Sequence, residues 1–485
     1  VSPPIASDDS DSLIPEALDT AELGGARDPR RATSEIIALT WPVILGQIMA
    51  NAVPLTDVLM LGRLGTPTLA AVGYAAQFLM LVQASLLAIG AACVALMARA
   101  LGAGDPLRAR RAFAACLRVA LMLTTVLCAI TLLFPRELLH LLDVKESVVH
   151  LAVPYFRLTM TSVPLMAISL GYEHAYRAAK DTRVPMVIAG CVSLLKIGMN
   201  WLFIFGNFGL PRLGLEGAAL ATILSQTIAV SLFLIAAKRH ANPALHLRLS
   251  DLNVPREMRR EAIAIALPAV GERFVMTTAM LVYFRFLGHY GVEAVAAYNV
   301  GVRILAFTWI PGLGLSVAAA TLVGHALGAG DAQLARRSGW LAARIGFVIS
   351  LVLGAPFIFL RVPMAKLFTT DAGVIAALDP FILMLGLGLP FLVVHFTLAG
   401  ALRGAGDTLT PLKAAILGNW IFRVPLGYLF AGVLGLPLFW VWAIMCVDHL
   451  SRAIWLSWSF HTSDWQARVG PSLAEDGAVS PARAS

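Results

Sequence analysis

Charge is what this chain has least of. Asp, Glu, Lys and Arg make up only 14% of its 485 residues, against about a quarter in a soluble domain. With 58% hydrophobic residues and a mean hydropathy of +0.78, a water-soluble globule is excluded. Cysteine is scarce as well. Cys93, Cys116, Cys128, Cys191 and Cys446 lie in apolar stretches without metal-like spacing, so buried, inert thiols are expected and a disulfide framework is not. Catalytic signatures are missing: there is no HExxH pair, GxSxG elbow or P-loop, and His140, His174, His289, His325, His395 and His449 are scattered. Neither an enzyme nor a resident metal or cofactor is therefore expected.

Long apolar runs are abundant. Residues 36–61 (IIALTWPVILGQIMANAVPLTDVLML) and 184–206 can each cross a bilayer, which takes roughly 20 residues of helix. Helix is the expected form, because an open strand leaves backbone groups unpaired in lipid. The pattern predicts twelve transmembrane helices near 36–61, 69–97, 112–134, 150–175, 184–206, 214–237, 260–286, 295–324, 340–361, 379–402, 411–432 and 437–460. The net charge of +8 does not imply a nucleic-acid partner. Roughly 22 Lys and Arg fall in the termini and even-numbered loops and roughly 7 on the other side, a positive-inside bias that places both termini in the cytoplasm. Residues 1–33 are acidic, bear Pro and Ser and lack an apolar core, so they read as a disordered cytoplasmic tail; 461–485 read similarly.

An internal repeat organises the chain. Residues 100–111 (ALGAGDPLRARR) and 326–337 (ALGAGDAQLARR) share nine of twelve positions at an offset of 226. The same offset pairs Arg177, Asp181, Thr182 and Pro185 with Arg403, Asp407, Thr408 and Pro411, and Glu35 and Pro42 with Glu261 and Pro268. Two homologous six-helix lobes follow, at 34–237 and 260–460, joined by a basic cytoplasmic linker at 238–259. An even helix count relates them by a pseudo-two-fold along the membrane normal, around a central cavity. The GAGD elements are expected to be corners: Gly102 and Gly104 at positive φ, then Asp105 capping the next helix with Pro106 in its first turn. The ladder Gly312, Ser316, Ala320, Gly324 is expected to pack helices closely.

These strings resemble a family. TDVLMLGRLG, ARALGAGD, YRAAKDTRVP, MNWLFIFGNFGLPRLGLEGAALAT and ALRGAGDTLTP, over roughly 34–460, are similar to multidrug and toxic compound extrusion (MATE) transporters of the bacterial NorM and DinF types. The resemblance implies an all-α integral membrane protein of the bacterial inner membrane, exporting drug-like molecules by rocking of two lobes while protons or sodium enter. One chain would suffice, with a small-molecule cargo and membrane lipid as its partners.

Ionisable groups within the bilayer are costly and so become site candidates. Asp57 follows Pro54, whose ring denies the helix a backbone donor. Gln47, Asn51, Pro54 and Asp57 share a sector of about 120° on a helical wheel. The resemblance assigns the coupling carboxylate to Asp57. Lys196, where the family usually has Asn, shares a face with Asn200 at i, i+4 and is long enough to reach Asp57. The sodium-coupled branch places carboxylates where this chain has Met276 and Leu392; Glu272 lies one turn earlier and helix 10 offers only His395, which favours protons. In the second lobe Asp448 and Arg452 are expected to pair, and Glu272 to meet Arg423 or Arg303. Tyr74, Gln77, Gln226, Tyr298, Asn299 and Asn419 complete the expected substrate cavity. The arginine excess there leaves open an anionic or zwitterionic cargo, and, as the rival function, a flippase of lipid-linked saccharides.

Overall fold

The computed structural model describes residues 29–140 and 146–465, and among these the regular structure is helical throughout. Among the described residues there are twelve long helices: α1 (Pro29–Gly62), α2 (Thr66–Gly102), α3 (Pro106–Leu133), α4 (Glu146–Thr161, continuing as Val163–Ala178), α5 (Arg183–Phe205), α6 (Gly214–Arg239), α7 (Arg256–Leu287), α8 (Val292–Gly328), α9 (Ala332–Phe359), α10 (Ala372–Gly404), α11 (Leu409–Val433) and α12 (Leu438–Thr462). Eleven of them, α1 to α11, are long and apolar enough to cross a membrane. Helix α12 has 25 residues, but Asp448, His449 and Arg452 interrupt its apolar run.

Boundaries shift slightly from expectation. Helix α1 starts at Pro29, inside the segment read as tail, because proline suits a first helical turn whose N–H groups lack partners. The linker is shorter than 238–259 and is not slack. Two 3-10 turns, Pro243–Leu245 and Leu249–Leu252, fill it. Arg118 donates to the Leu252 carbonyl at 2.7 Å, and Arg110 meets Asp251 at 3.4 Å, so the linker is stapled to α3. Residues 1–28 and 466–485, assigned above to the tails, lie outside the described residues. The thiol expectation is corrected: all five cysteines are free, but only Cys93 and Cys116 are buried, Cys128 and Cys446 are half-buried, and Cys191 on α5 is exposed.

The buried residues form two large cores, one mostly from α1–α6 and one mostly from α7–α12. The two cores exchange helix ends. Ile36 and Leu39 of α1 pack into the second core, and Ala262 and Ile265 of α7, their counterparts at the 226-residue offset, pack into the first. A Cβ on Gly102 would strike the His325 carbonyl, and one on its counterpart Gly328 would strike the Arg99 carbonyl. Thr321 donates to the Arg177 carbonyl at 3.1 Å, and His325 Nε2 donates to the Ala178 carbonyl at 2.8 Å. These contacts close the two bundles together at the end that bears the GAGD corners.

The corners cap helices as their sequence suggests. Asp105 accepts from the Arg108 amide at 2.8 Å and Asp331 from the Leu334 amide at 2.7 Å. Gly104 (φ 74) and Gly330 (φ 78) take the left-handed conformation. Gly102 does not; its glycine is needed for the approach to His325. The α8 ladder packs on α10, where Cβ atoms on Gly400 and Gly404 would meet the carbonyls of Ser316 and Ala320.

Candidate functional site

Helix α1 runs through both Pro42 and Pro54, and each proline leaves one carbonyl a turn earlier without its helical donor. Asp57 follows one turn after Pro54, partly buried, with 23% of its side chain accessible. Lys196 of α5 donates to Asp57 Oδ2 at 2.9 Å, and Asn200, one turn on, donates to Oδ1 at 2.5 Å. Both carboxylate oxygens are thus held from one face of α5, the face set by the i, i+4 spacing. Asn200 is fully buried, and its own Oδ1 receives no hydrogen bond. A buried acceptor without a donor costs about 1–3 kcal/mol, so this atom is poised to accept a proton-bearing group.

The other first-bundle candidates do not converge on Asp57 through direct hydrogen bonds. Gln47 is half-buried, and Asn51 and Gln77 are exposed. Tyr74 packs against the first core, and Gln226 accepts from Ser169 at 3.2 Å.

In the second bundle, Glu272 meets neither Arg423 nor Arg303. It receives Arg403, in the last turn of α10, at 2.7 and 2.8 Å. Arg303 and Asn299 are exposed, and the Asn299 amide donates to the Val295 carbonyl within its own helix. Asp448 is fully buried between two guanidinium groups: Arg452 donates at 2.6 and 2.8 Å, and Arg423 approaches to 2.6 Å. Beside them the rings of His395 and His449 stack with centroids 5.3 Å apart. Tyr298 stacks on Trp442, and Arg423 lies over the Tyr283 ring at 5.8 Å. Asn419 is buried, donating to the Ala415 carbonyl.

Sequence reasoning found the Asp448–Arg452 pair but missed its third member. Helix α11 explains why. It is π-helical over Leu417–Arg423 and Tyr428–Val433, and the wider turn displaces every later side chain from its α-helical phase. Pro425 within the segment removes another α-type donor. The cluster also needs Gly418, where a Cβ would run into Asp448 Oδ1 and the Arg452 side chain. Gly418→Ala should therefore lower stability by about 1–3 kcal/mol. The check is a thermal melt in detergent, beside Gly73→Ala, whose added methyl meets nothing within 4 Å.

The two halves place different chemistry at equivalent positions. Tyr283 stands 226 residues after Asp57, while Thr222 and Gln226 precede Asp448 and Arg452 by the same interval. The first bundle holds one acid on a lysine and an amide; the second holds one acid between two arginines.

A family model described as MatE matches residues 42–202 and 268–429, two stretches that begin at the repeat offset. The "Probable multidrug resistance protein NorM" of Rhodopseudomonas palustris is 30% identical over 441 residues, covering 88% of this chain and 91% of that protein. The protein of the same description from Thermotoga maritima is 26% identical over 438 residues, covering 90% and 93%. Among solved structures, the Vibrio cholerae MATE transporter VcmN in the bent form superposes with a TM-score of 0.82 at 21% identity, covering 89% of this chain and 97% of that one.

Proposed function

Because the chain belongs to the MatE family of multi-pass membrane transporters, we propose that it exports drug-like molecules by proton-coupled antiport, with Asp57 as the proton carrier. The observation that carries this reading is the two-sided hold on Asp57 by Lys196 and Asn200. As an ion pair the site is neutral. A proton arriving on Asp57 removes the negative charge, so the Lys196 ammonium loses its counter-ion and the local charge rises by one. A protonated carboxyl has one O–H to donate, and rotation of the Asn200 amide would offer its vacant Oδ1 as the acceptor. Loss of the Asp57–Lys196 contact lets α1 move against α5, and a cationic group of the cargo nearby is repelled. Proton entry and cargo release are then the same event.

With the termini in the cytoplasm, the end closed by Gly102, Gly328, Thr321 and His325 is the cytoplasmic one, and it is shut in this arrangement. Alternating access requires that contact to part. One chain supplies both bundles, so the monomer is the working unit.

The test is dye efflux by protein reconstituted in vesicles, under a pH gradient alone and a sodium gradient alone. Efflux driven by pH and indifferent to sodium is expected; efflux that follows sodium only would overturn the proton assignment. Lys196→Asn, which keeps a donor but removes the charge, should uncouple the two fluxes, with the ratio of protons moved to dye exported changing severalfold. An unaltered ratio would dismiss the ion pair as part of the mechanism.

A further inference from the structure

Asp448 is fully buried between Arg423 and Arg452, which are 7% and 6% exposed. One negative charge thus faces two positive ones with little water in reach. The other acid that acts on Arg452 is Glu272, and Arg403 already holds it at 2.7 Å. Arg273, next to Glu272, adds to the positive side and cannot relieve it. With the stacked rings of His395 and His449 counted neutral, Asp448 and its two arginines keep one positive charge in excess. A buried charge of this kind is costly unless a counter-charge joins it.

The same residues border a small crevice. Trp309 of α8, Arg423 of α11, and His449 and Arg452 of α12 share its wall, and the half-buried Met276 and Met280 of α7 complete it. It has room for about one water-sized body, the least that a single occupant needs. Several polar atoms on that wall are buried without a hydrogen-bond partner: Arg423 Nε, Trp309 Nε1 and both ring nitrogens of His449, itself 7% exposed. Guanidinium and indole nitrogens only donate, and a neutral imidazole adds one donor. The occupant must therefore accept several N–H groups, carry a negative charge and be hardly larger than a single heavy atom. Water meets the size but not the charge. A carboxylate meets the charge but not the size. A halide ion meets both, and a bond from guanidinium to an anion is of the stronger, charge-assisted kind.

We propose that the second bundle holds one resident chloride ion in this crevice, bonded by Arg423, Trp309 and His449, as the counter-ion that completes the Asp448 cluster. The ion is a structural part and not a cargo. Asp448 and chloride together balance Arg423 and Arg452. Their bonds tie α8 to α12 and to the π-helical stretch Leu417–Arg423 of α11. The inference concerns the architecture of the second bundle, so it holds whatever ion Asp57 carries.

The test is a thermal melt of the purified full chain in detergent, with chloride replacing gluconate at constant ionic strength. Gluconate is too large for the crevice. An ion that binds only the folded state raises the melting temperature as its concentration rises. Chloride, and likewise bromide, should raise it by at least about 3 °C and then saturate. Trp309→Phe, which removes one donor and leaves every charged pair intact, should move the half-saturating chloride concentration upward about fivefold. Arg423→Met leaves Asp448 paired with Arg452 alone and should remove the chloride effect altogether. A melting temperature indifferent to chloride overturns the proposal and assigns the crevice to water. A chloride response unchanged in both variants overturns it too, because the ion would then act elsewhere. Should Arg423→Met fail to fold, Trp309→Phe decides alone: an upward shift of its half-saturating concentration supports the site, and no shift removes it.

Discussion

Asp57→Asn should leave a protein that folds and binds cargo but cannot concentrate it: uphill efflux under a pH gradient falls at least about tenfold, while downhill exchange of cargo persists. Asparagine is nearly isosteric and can still meet Asn200, so the local shape survives. What is lost is the carboxylate that the proposal makes the proton carrier of the Lys196–Asp57–Asn200 constellation. Lys196 is left without its counter-ion, at a cost of about 2 kcal/mol given the partial exposure of the pair, and this could by itself reduce the amount of folded protein. Asp57→Asn combined with Lys196→Met separates the two effects. The double variant should recover the melting temperature without recovering the pump. A pH-sensitive dye inside the vesicles reports the proton, and a fluorescent cargo reports efflux. Uphill pumping at the normal rate by Asp57→Asn would remove this carboxylate from the mechanism.

The second large effect concerns the closed end. Gly102→Val should abolish transport and expose the interior of that end, because its side chain would occupy the volume of the His325 carbonyl in the opposite bundle. Overpacking of this kind costs about 1–3 kcal/mol or more, and alternative states of a transporter differ by only a few kcal/mol. One misplaced side chain is thus enough to reverse the balance. Thr321 is 1% exposed beneath this contact, so Thr321→Cys, placed in a Cys191→Ser background, serves as the reporter. Its reaction with a water-soluble thiol reagent should accelerate at least tenfold when Gly102→Val is added. The same reporter with Gly73→Ala should react at the original rate. An unreactive Thr321→Cys in the Gly102→Val protein would show that this end stays shut despite the substitution.

The helices were largely readable because in lipid the hydrophobic run and the helix are nearly the same object. The ends, where capping and packing decide, were less so, as Pro29 shows. The contacts of Asp57 could be foreseen because two regular helices, each phased from the sequence, meet there: α1 supplies the acid and α5 supplies Lys196 and Asn200 one turn apart. The second bundle resisted for two reasons. Burial depth along a helix does not say which helix lies opposite, and so the sequence offers Glu272 either Arg423 or Arg303, whereas Arg403 holds it. The π-helical turns of α11 then spoiled the wheel on which Arg423 would be assigned a direction. Gly102 teaches a third lesson. A glycine beside a turn invites the explanation of backbone freedom, yet its true constraint comes from a carbonyl more than two hundred positions away, in the other copy of the same motif.

The mismatch between equivalent positions, Asp57 against Tyr283 and Arg452 against Gln226, bears on how such a chain could arise. Two identical subunits, each with a copy of the first half, would present two lysine-held acids and no acid between two arginines; two copies of the second half would present the reverse. Within one chain, each half can differ from the other at such a position. The symmetry persists in the scaffold, in the GAGD corners and the exchanged helix ends, and is absent at these charged positions.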